Sequence, residues 1–188
     1  MGLLEMQYDL INKTKRGLPM IIIGVLFWFI IGLLSFFEMH IKLHGLLVFI
    51  GISIIFPLGM LLSKMMKIDM VVKDNPLSAL PGMLGCMQLF FTPLLMVIFV
   101  DEPQMLPFYV GILTGAHFFP FAWVYKSKAY IFQTVAIIAI ATVFGFVLTD
   151  HLFTIFPFVM SGVYFVTCVW LTKENAIKSK RNEDTKLA

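Results

Sequence analysis

Six long runs without Asp, Glu, Lys or Arg constrain the fold of this chain more than any other feature. A helix crosses the hydrocarbon core of a bilayer with about 20 residues. In lipid every backbone amide must pair within its own segment, which a helix achieves. The sequence therefore predicts an all-α polytopic membrane protein with six transmembrane helices, at about 18–37, 45–63, 79–100, 107–125, 129–148 and 152–172.

The composition agrees with this fold class. Hydrophobic residues make up 60% of the 188 residues and charged residues only 13%, about half the charged fraction of a soluble domain. Cys86 and Cys168 both lie inside apolar runs, which favours reduced, packed thiols over a disulfide. The sequence has no nucleic-acid signature and no cofactor motif, so we expect neither partner.

Lysine and arginine fall almost entirely on one side of the six runs. Thirteen of the fourteen lie in the N-terminal segment, the second and fourth loops and the C-terminal tail, and Lys42 is the exception. Because basic loops stay in the cytoplasm, this asymmetry predicts cytoplasmic N- and C-termini in the inner (cytoplasmic) membrane of the cell. The opposite side carries four carboxylates, Glu38, Asp101, Glu102 and Asp150.

The chain divides into three parts around this transmembrane domain. Residues 1–17 form a cytoplasmic segment, which we interpret as an interfacial helix with an apolar face opposite Glu5 and Asp9. Residues 18–172 form the six-span domain, and residues 173–188 a basic tail that we expect to be flexible. The apolar face of the first segment is formed by Leu3, Leu4, Leu10 and Ile11.

An aromatic–proline pair recurs in the second, fourth and sixth runs. The pairs are Phe56-Pro57, Phe119-Pro120 and Phe156-Pro157. One interpretation is three stacked helical hairpins, an architecture with internal repeats such as transporters use. The alternative is coincidence, since both residue types are common in membrane helices.

His117 is the most informative single residue, because an ionisable group in the middle of a membrane helix marks a function or a buried partner. Counting inward from the span ends places Gln88 of the third span at nearly the same depth. A polar midplane site is one interpretation, and interhelical hydrogen bonds that only hold helices together are the other. The candidate ligand or proton site comprises His117, Gln88, Ser53, Ser161 and Tyr164.

A second polar group lies in the loops on the opposite side. Imidazole and carboxylate ligands that converge could hold a divalent metal or respond to pH. The competing interpretation is that these short loops are polar because they leave the membrane, and we predict no metal. The weak candidates are Glu38, His40, His44, Asp150 and His151.

No catalytic motif is present. The sequence lacks HExxH, GxSxG and a glycine-rich phosphate loop, and no carboxylate lies within a run. We therefore expect a protein that is not an enzyme.

The stretch GAHFFPFAWVY at 115–125, with the basic segment before the first run, resembles a family of small bacterial multi-pass membrane proteins of unknown function. The resemblance implies a bacterial membrane protein and no particular activity.

Two functional hypotheses follow. The first is a small carrier or ligand-binding protein with a midplane site around His117 and Gln88. The second is a non-catalytic accessory, regulatory or immunity protein that acts through helix packing. Both have the lipid bilayer as a partner, and both allow a homo-oligomer or a membrane-protein partner, while the small molecule or ion stays unidentified.

Overall fold

The computed structural model describes residues 2–187, with side chains from residue 2 to residue 177. Helices connected by short 3₁₀ turns form this part of the chain, and it contains no strand. The α-helices are α1 Leu3–Thr14, α2 Leu18–Leu34, α3 Ile41–Met65, α4 Ala79–Met87, α5 Thr92–Asp101, α6 Leu106–Val124, α7 Lys128–Phe146 and α8 Phe156–Leu187.

Six helical segments of the described chain are long and apolar enough to cross a membrane. The prediction of an all-α chain with six such helices is therefore confirmed. We call the end of the bundle with Lys15, Lys67 and Lys126 the basic end, and the end with Glu38 and Asp150 the acidic end. The segments are Leu3–Leu34, Ile41–Met65, Pro76–Asp101, Pro103–Val124, Lys128–Phe146 and Phe156–Ile177.

Within the first segment, α1 and α2 are separate helices. Lys15, Arg16 and Gly17 all adopt positive φ angles, of 49°, 56° and 69°, and three left-handed residues in a row break a right-handed helix. Of these two helices only α2 contains no charged side chain, so α2 is the membrane-crossing part of the segment. Helix α1 lies at the basic end, with Leu10 and Ile11 buried and with Leu3 and Leu4 exposed.

The core of the bundle is formed by α2, α6, α7 and α8. The most extensive packing joins α6 to α7 and α2 to α8, followed by α2 to α3 and α7 to α8. Helices α6 and α7 approach closely because Gly111 and Gly115 have no side chains: a Cβ atom on Gly115 would lie 2.8 Å from Ile138. The helices of all three predicted hairpins are in contact, but the most extensive packing, of α6 with α7 and of α2 with α8, joins helices of different hairpins.

The third span lies at the periphery and is interrupted. Helices α4 and α5 are joined by a 3₁₀ turn, Gln88–Phe91. Pro93 has no amide hydrogen for the carbonyl of Leu89, and the amide of Thr92 bonds that carbonyl instead, which tightens the turn. Only 6% of the most apolar stretch of this span is buried, against 50% in the first span.

The C-terminal helix continues beyond the membrane. Helix α8 extends to Leu187, so the backbone of residues 173–187 is helical. Ala188 and the side chains from residue 178 onward lie outside the described part. The flexibility expected for residues 173–188 stays a prediction.

Candidate functional site

His117 lies in α6, and its side chain is buried, with 7% exposed. The ring centroid lies 5.5 Å from that of Phe118 and 5.2 Å from that of Phe121. The Nδ1 atom has no hydrogen-bond partner among the described residues. Pro120 lies within the same helix and cannot donate to the carbonyl of Ala116. An unpaired imidazole nitrogen therefore lies close in sequence to a carbonyl that lacks its usual i+4 donor.

The imidazole of His117 points away from α7. Successive residues of a helix are about 100° apart, so His117 lies about 120–160° around α6 from the Gly111–Gly115 stripe, which contacts α7. The other elements packed on α6 are mainly α4, α5 and the Gln88–Phe91 turn. His117 thus lies on a side of α6 that is turned away from α7, and apart from α7 the third span is the element that packs most on α6.

Gln88 does not bond to His117. It is half-buried in the 3₁₀ turn that packs against α6, but no hydrogen bond joins the two side chains within the described chain. The sequence positions of Gln88 and His117 give only the depth of each residue in the membrane. Rotation about each helix axis decides whether the side chains meet, and counting residues from the span ends cannot give that rotation.

The other three predicted site residues serve other contacts. Ser53 is exposed on α3 and donates to the carbonyl of Phe49 in its own helix, at 3.0 Å. Ser161 donates to the carbonyl of Val25, at 3.0 Å, and so links α8 to α2. Tyr164 is buried with its ring centroid 5.7 Å from that of Phe118. The five candidates therefore do not form one pocket.

Gln133 and Thr134 of α7 are polar residues that the sequence analysis missed. Gln133 is 0% exposed, and neither atom of its amide group has a partner among the described residues. The hydroxyl of Thr134 is also buried and unpaired. An amide side chain inside an apolar run indicates a polar contact between helices. Gln133 could therefore have been identified from the sequence.

Arg16 is a third residue that sequence reasoning missed. It is buried at the basic end, where its Nε atom lies 3.3 Å from a carboxylate oxygen of Glu174 and 3.3 Å from the carbonyl of Tyr125. Its guanidinium also donates to Asn175, and its carbonyl accepts from Tyr130 at 2.6 Å. Arg16 thus joins the end of α1 to α7 and α8.

A column of aromatic rings fills the space between His117 and this basic end. Phe121 contacts His117, and its ring stacks on Tyr125 at 5.9 Å and on Tyr130 at 5.7 Å. Both tyrosines are buried. The bundle is therefore closed by aromatic packing on the basic side of His117.

The polar residues at the acidic end do not converge. His40 is the N-cap of α3, and its Nδ1 atom accepts from the amide of Lys42. His44 is buried with its ring 4.6 Å from that of Phe153, so it does not point the same way as His40. Exposed positions are held by Glu38, Asp150 and His151. No three His, Cys, Asp or Glu side chains in the described chain are grouped so that they could hold a metal ion.

A protein-family model matches residues 3–174, which include every candidate site residue. The chain belongs to the DUF7010 family. DUF7010 is a family of unknown function, which confirms the expected resemblance to a family without an assigned function. The bacterial origin of the protein stays a prediction. Comparisons with curated proteins and with solved structures give no match.

Proposed function

We propose that this DUF7010 protein is a small ligand-binding membrane protein of the carrier type, with its site between His117 and the third span. One observation supports this above others: the Nδ1 atom of His117 is buried without a partner among the described residues, in a helix against which the least buried span packs. A buried polar atom without a partner is unfavourable in a membrane. A ligand that bonds it would remove that cost.

The third span has the properties of a movable element over this site. It is interrupted at Gln88–Phe91, and interrupted helices often border the binding sites of membrane carriers. Few of its side chains are buried, so a small displacement costs little packing. On the other side of His117 the aromatic column is tightly packed, which supports access past the third span.

The chemistry of the site restricts the ligand. His117 and Gln88 offer hydrogen-bond donors and acceptors, and no Asp, Glu, Lys or Arg lies in the six apolar runs. A fully charged ligand would have no counter-ion there, and burial of an unpaired charge is costly. The site therefore suits a small, neutral, polar molecule, and we assign no catalytic reaction to it.

We further propose that the protein resides in the inner membrane of a bacterial cell with both termini in the cytoplasm. The distribution of basic residues supports this orientation, since thirteen of fourteen flank the spans on one side. The basic end would then face the cytoplasm.

The test is a thermal-stability screen of the purified protein in detergent against neutral polar probes: amides, polyols and nucleobases. A ligand that binds only the folded state raises stability by about 2.7 kcal/mol at a hundredfold excess over its Kd. We expect His117→Ala to fold and to lose the shift. Ser53→Ala is the control, because Ser53 lies in a span but is exposed, and this variant should keep the shift.

Two results would contradict the proposal. One is that no probe in the three classes stabilises the wild-type protein. The other is that a probe stabilises the wild type and His117→Ala equally, which would place its site elsewhere.

A second candidate is the accessory protein that acts through helix packing. The exposed apolar surface of the third span favours it, since this surface would suit another membrane protein as well as lipid; its exposed residues include Met83, Leu89, Phe90, Val97 and Val100. In that case Leu89→Ser and Phe90→Ser would abolish co-purification of the partner, while His117→Ala would not affect it.

A further inference from the structure

Helix α1 packs on the beginning of the third span. Apart from the turn that follows α1, the described helical element that packs most on it is the 3₁₀ turn Pro76–Ser78, where the third span begins. The docked face of α1 is small, and its buried residues are Gln7, Leu10, Ile11 and Thr14. Elements with few buried apolar contacts open at low cost. Helix α1 and the third span therefore meet where the bundle opens most easily.

Asn75 joins these two elements with a single side chain. It is buried, with 2% exposed, and directly precedes Pro76. Its side-chain nitrogen donates to the carbonyl of Met6 at 2.8 Å and to a carboxylate oxygen of Asp9 at 2.9 Å. Its side-chain oxygen accepts from the amide of Leu77 at 3.0 Å and so caps the turn that begins the third span. The nitrogen of Asn75 thus binds α1, and its oxygen binds the third span.

The backbone around Asn75 is also held in place. Its amide donates to the carbonyl of Val72 at 3.1 Å, and its carbonyl accepts from the amide of Ser78 at 2.9 Å. The hydroxyl of Ser78 accepts from the amide of Val72 at 2.8 Å, and Val72 is buried. Because the side chain and the backbone of Asn75 are both bonded, a displacement of this end of the third span also displaces Asn75.

The other attachment of α1 is to α6, the helix that carries His117. Gln7 donates to the carbonyl of Trp123, in the last turn of α6, at 3.0 Å. The beginning of the third span is therefore connected to α6 through Asn75 and α1, in addition to its own packing on α6. That packing is sparse, since only 6% of the most apolar stretch of the span is buried. The connection through α1 thus restrains the third span at its basic end.

We propose that Asn75 couples α1 to the third span, so that the basic end of the third span leaves α6 only when α1 leaves its docked position. The consequence for the ligand rests on the proposed function: α1 then controls, from the basic end, whether the third span opens over His117. Asn75 is a positioning residue, because it acts through α1 and lies outside the ligand site. The coupling is tested without a ligand, so it can fail independently of the proposed function.

The experiment measures amide hydrogen exchange of the purified full-length protein in detergent by mass spectrometry. Gln7→Ala removes the bond from α1 to α6 and leaves Asn75 intact. We expect exchange to become faster by about threefold or more in residues 3–14 and also in residues 79–87. The reason is that a loosened α1 no longer restrains the third span. Exchange in residues 128–146 is the internal reference and should not change.

Asn75→Asp separates the two roles of this side chain. An aspartate oxygen still accepts from the amide of Leu77, because Asp caps a helix about as well as Asn. It cannot donate to the carbonyl of Met6, and its charge lies next to the carboxylate of Asp9. We expect exchange faster by about threefold or more in α1 and in α4. Asn75→Ser also caps and also lacks the donor, so it repeats the test if Asn75→Asp folds poorly.

The two substitutions together distinguish coupling from a general loss of stability. In the Asn75→Asp background, Gln7→Ala should accelerate exchange in residues 3–14 but not in residues 79–87, because the connection is already lost. If Asn75 were merely structural, the two effects would add in both segments. Asn12→Ala is the matched control, since it removes an amide side chain from an exposed position of α1 and should accelerate neither segment.

Three results would overturn the coupling. The first is that Gln7→Ala, with Asn75 intact, accelerates residues 3–14 alone. The second is that Asn75→Asp and Asn75→Ser both leave residues 79–87 unchanged. The third is an equal acceleration of residues 79–87 by Gln7→Ala with and without Asn75. The expected exchange pattern in a protein that no probe stabilises would support the coupling and overturn only the ligand site at His117.

Discussion

At the scale of single residues, the amide of Gln133 is the group that most clearly destabilises the folded bundle. It is completely buried and unpaired, and leaving such a group unsatisfied costs about 1–3 kcal/mol. We predict that Gln133→Leu, which is similar in size and apolar, raises the free energy of unfolding by about 1–3 kcal/mol. Unfolding by a denaturing detergent in mixed micelles would measure it.

The control for this prediction is Thr142→Val on the same helix. Thr142 is exposed, and its hydroxyl already donates to the carbonyl of Ile138, so its loss should change stability little. A decrease in stability for Gln133→Leu would show instead that the amide is paired in the membrane, by water or by a ligand.

Asp9 gives the protein an acid-sensitive contact outside the membrane. Hydrogen bonds from Lys13, at 2.8 Å, and from Asn75, at 2.9 Å, hold the pKa of Asp9 below its usual value. A lowered pKa in the folded state means that the contact contributes stability at neutral pH. That contribution is lost as the pH falls through the usual carboxyl range to the lowered pKa.

We therefore predict that Asp9→Asn reduces the loss of stability between about pH 5 and pH 3. Thermal unfolding of wild type and variant across this range would show it. Asp69→Asn is the matched control, because Asp69 is exposed in the loop before Asn75. An equal effect of both substitutions would contradict the role given to Asp9.

At the scale of helices, the α6–α7 contact depends on the absence of side chains. A Cβ atom on Gly115 would lie 2.8 Å from Ile138 and 3.0 Å from Ile137. We predict that Gly115→Ala lowers the free energy of unfolding by about 1–3 kcal/mol, the usual cost of overpacking. Gly82 of α4 has open space around it, so Gly82→Ala should be neutral or stabilising in the same assay.

The third span should be the least protected of the six. It has few buried side chains and an interrupted helix, so its amides open at low cost. We predict that amide hydrogen exchange, followed by mass spectrometry in detergent, is faster in residues 79–101 than in residues 106–124. Pro93→Ala restores the missing donor for Leu89 and should slow exchange around the turn. Equal protection of the two segments would exclude a mobile third span.

The spans were predictable because their cause is local. An apolar run of sufficient length must be a helix in lipid, and the predicted run 107–125 corresponds to the segment Pro103–Val124. The interruption at Gln88–Phe91 also has a local cause, the proline at position 93. The sparse packing of the third span has no local cause, because it depends on which helices meet in the folded bundle.

The candidate site was less predictable, for a geometric reason. The sequence indicates the depth of His117 and Gln88 but not their rotation about the helix axes. Ser161 was predicted as a site residue, and the structure pairs it with the carbonyl of Val25. Arg16 was missed, since its burial depends on Glu174 and Asn175, residues 158 and 159 positions away in sequence.

At the scale of the whole molecule, the orientation in the membrane is open to direct test. We predict that Glu38→Cys and Lys73→Cys, each in a background without Cys86 and Cys168, react with an impermeant maleimide from opposite sides. Both positions are exposed in loops. Lys73 should be protected in intact cells and Glu38 should react. Labelling of both from one side would contradict six crossings.

The hydrogen bonds that hold the N-terminal segment have a consequence for the order in which the chain folds during synthesis. Gln7 donates to the carbonyl of Trp123, Asn75 to that of Met6, and Asn175 to that of Lys15. Synthesis proceeds from the N-terminus, so α1 leaves the ribosome before the residues that bond it. Its set of bonds is therefore complete only after residue 175, beyond the sixth apolar run, has been made.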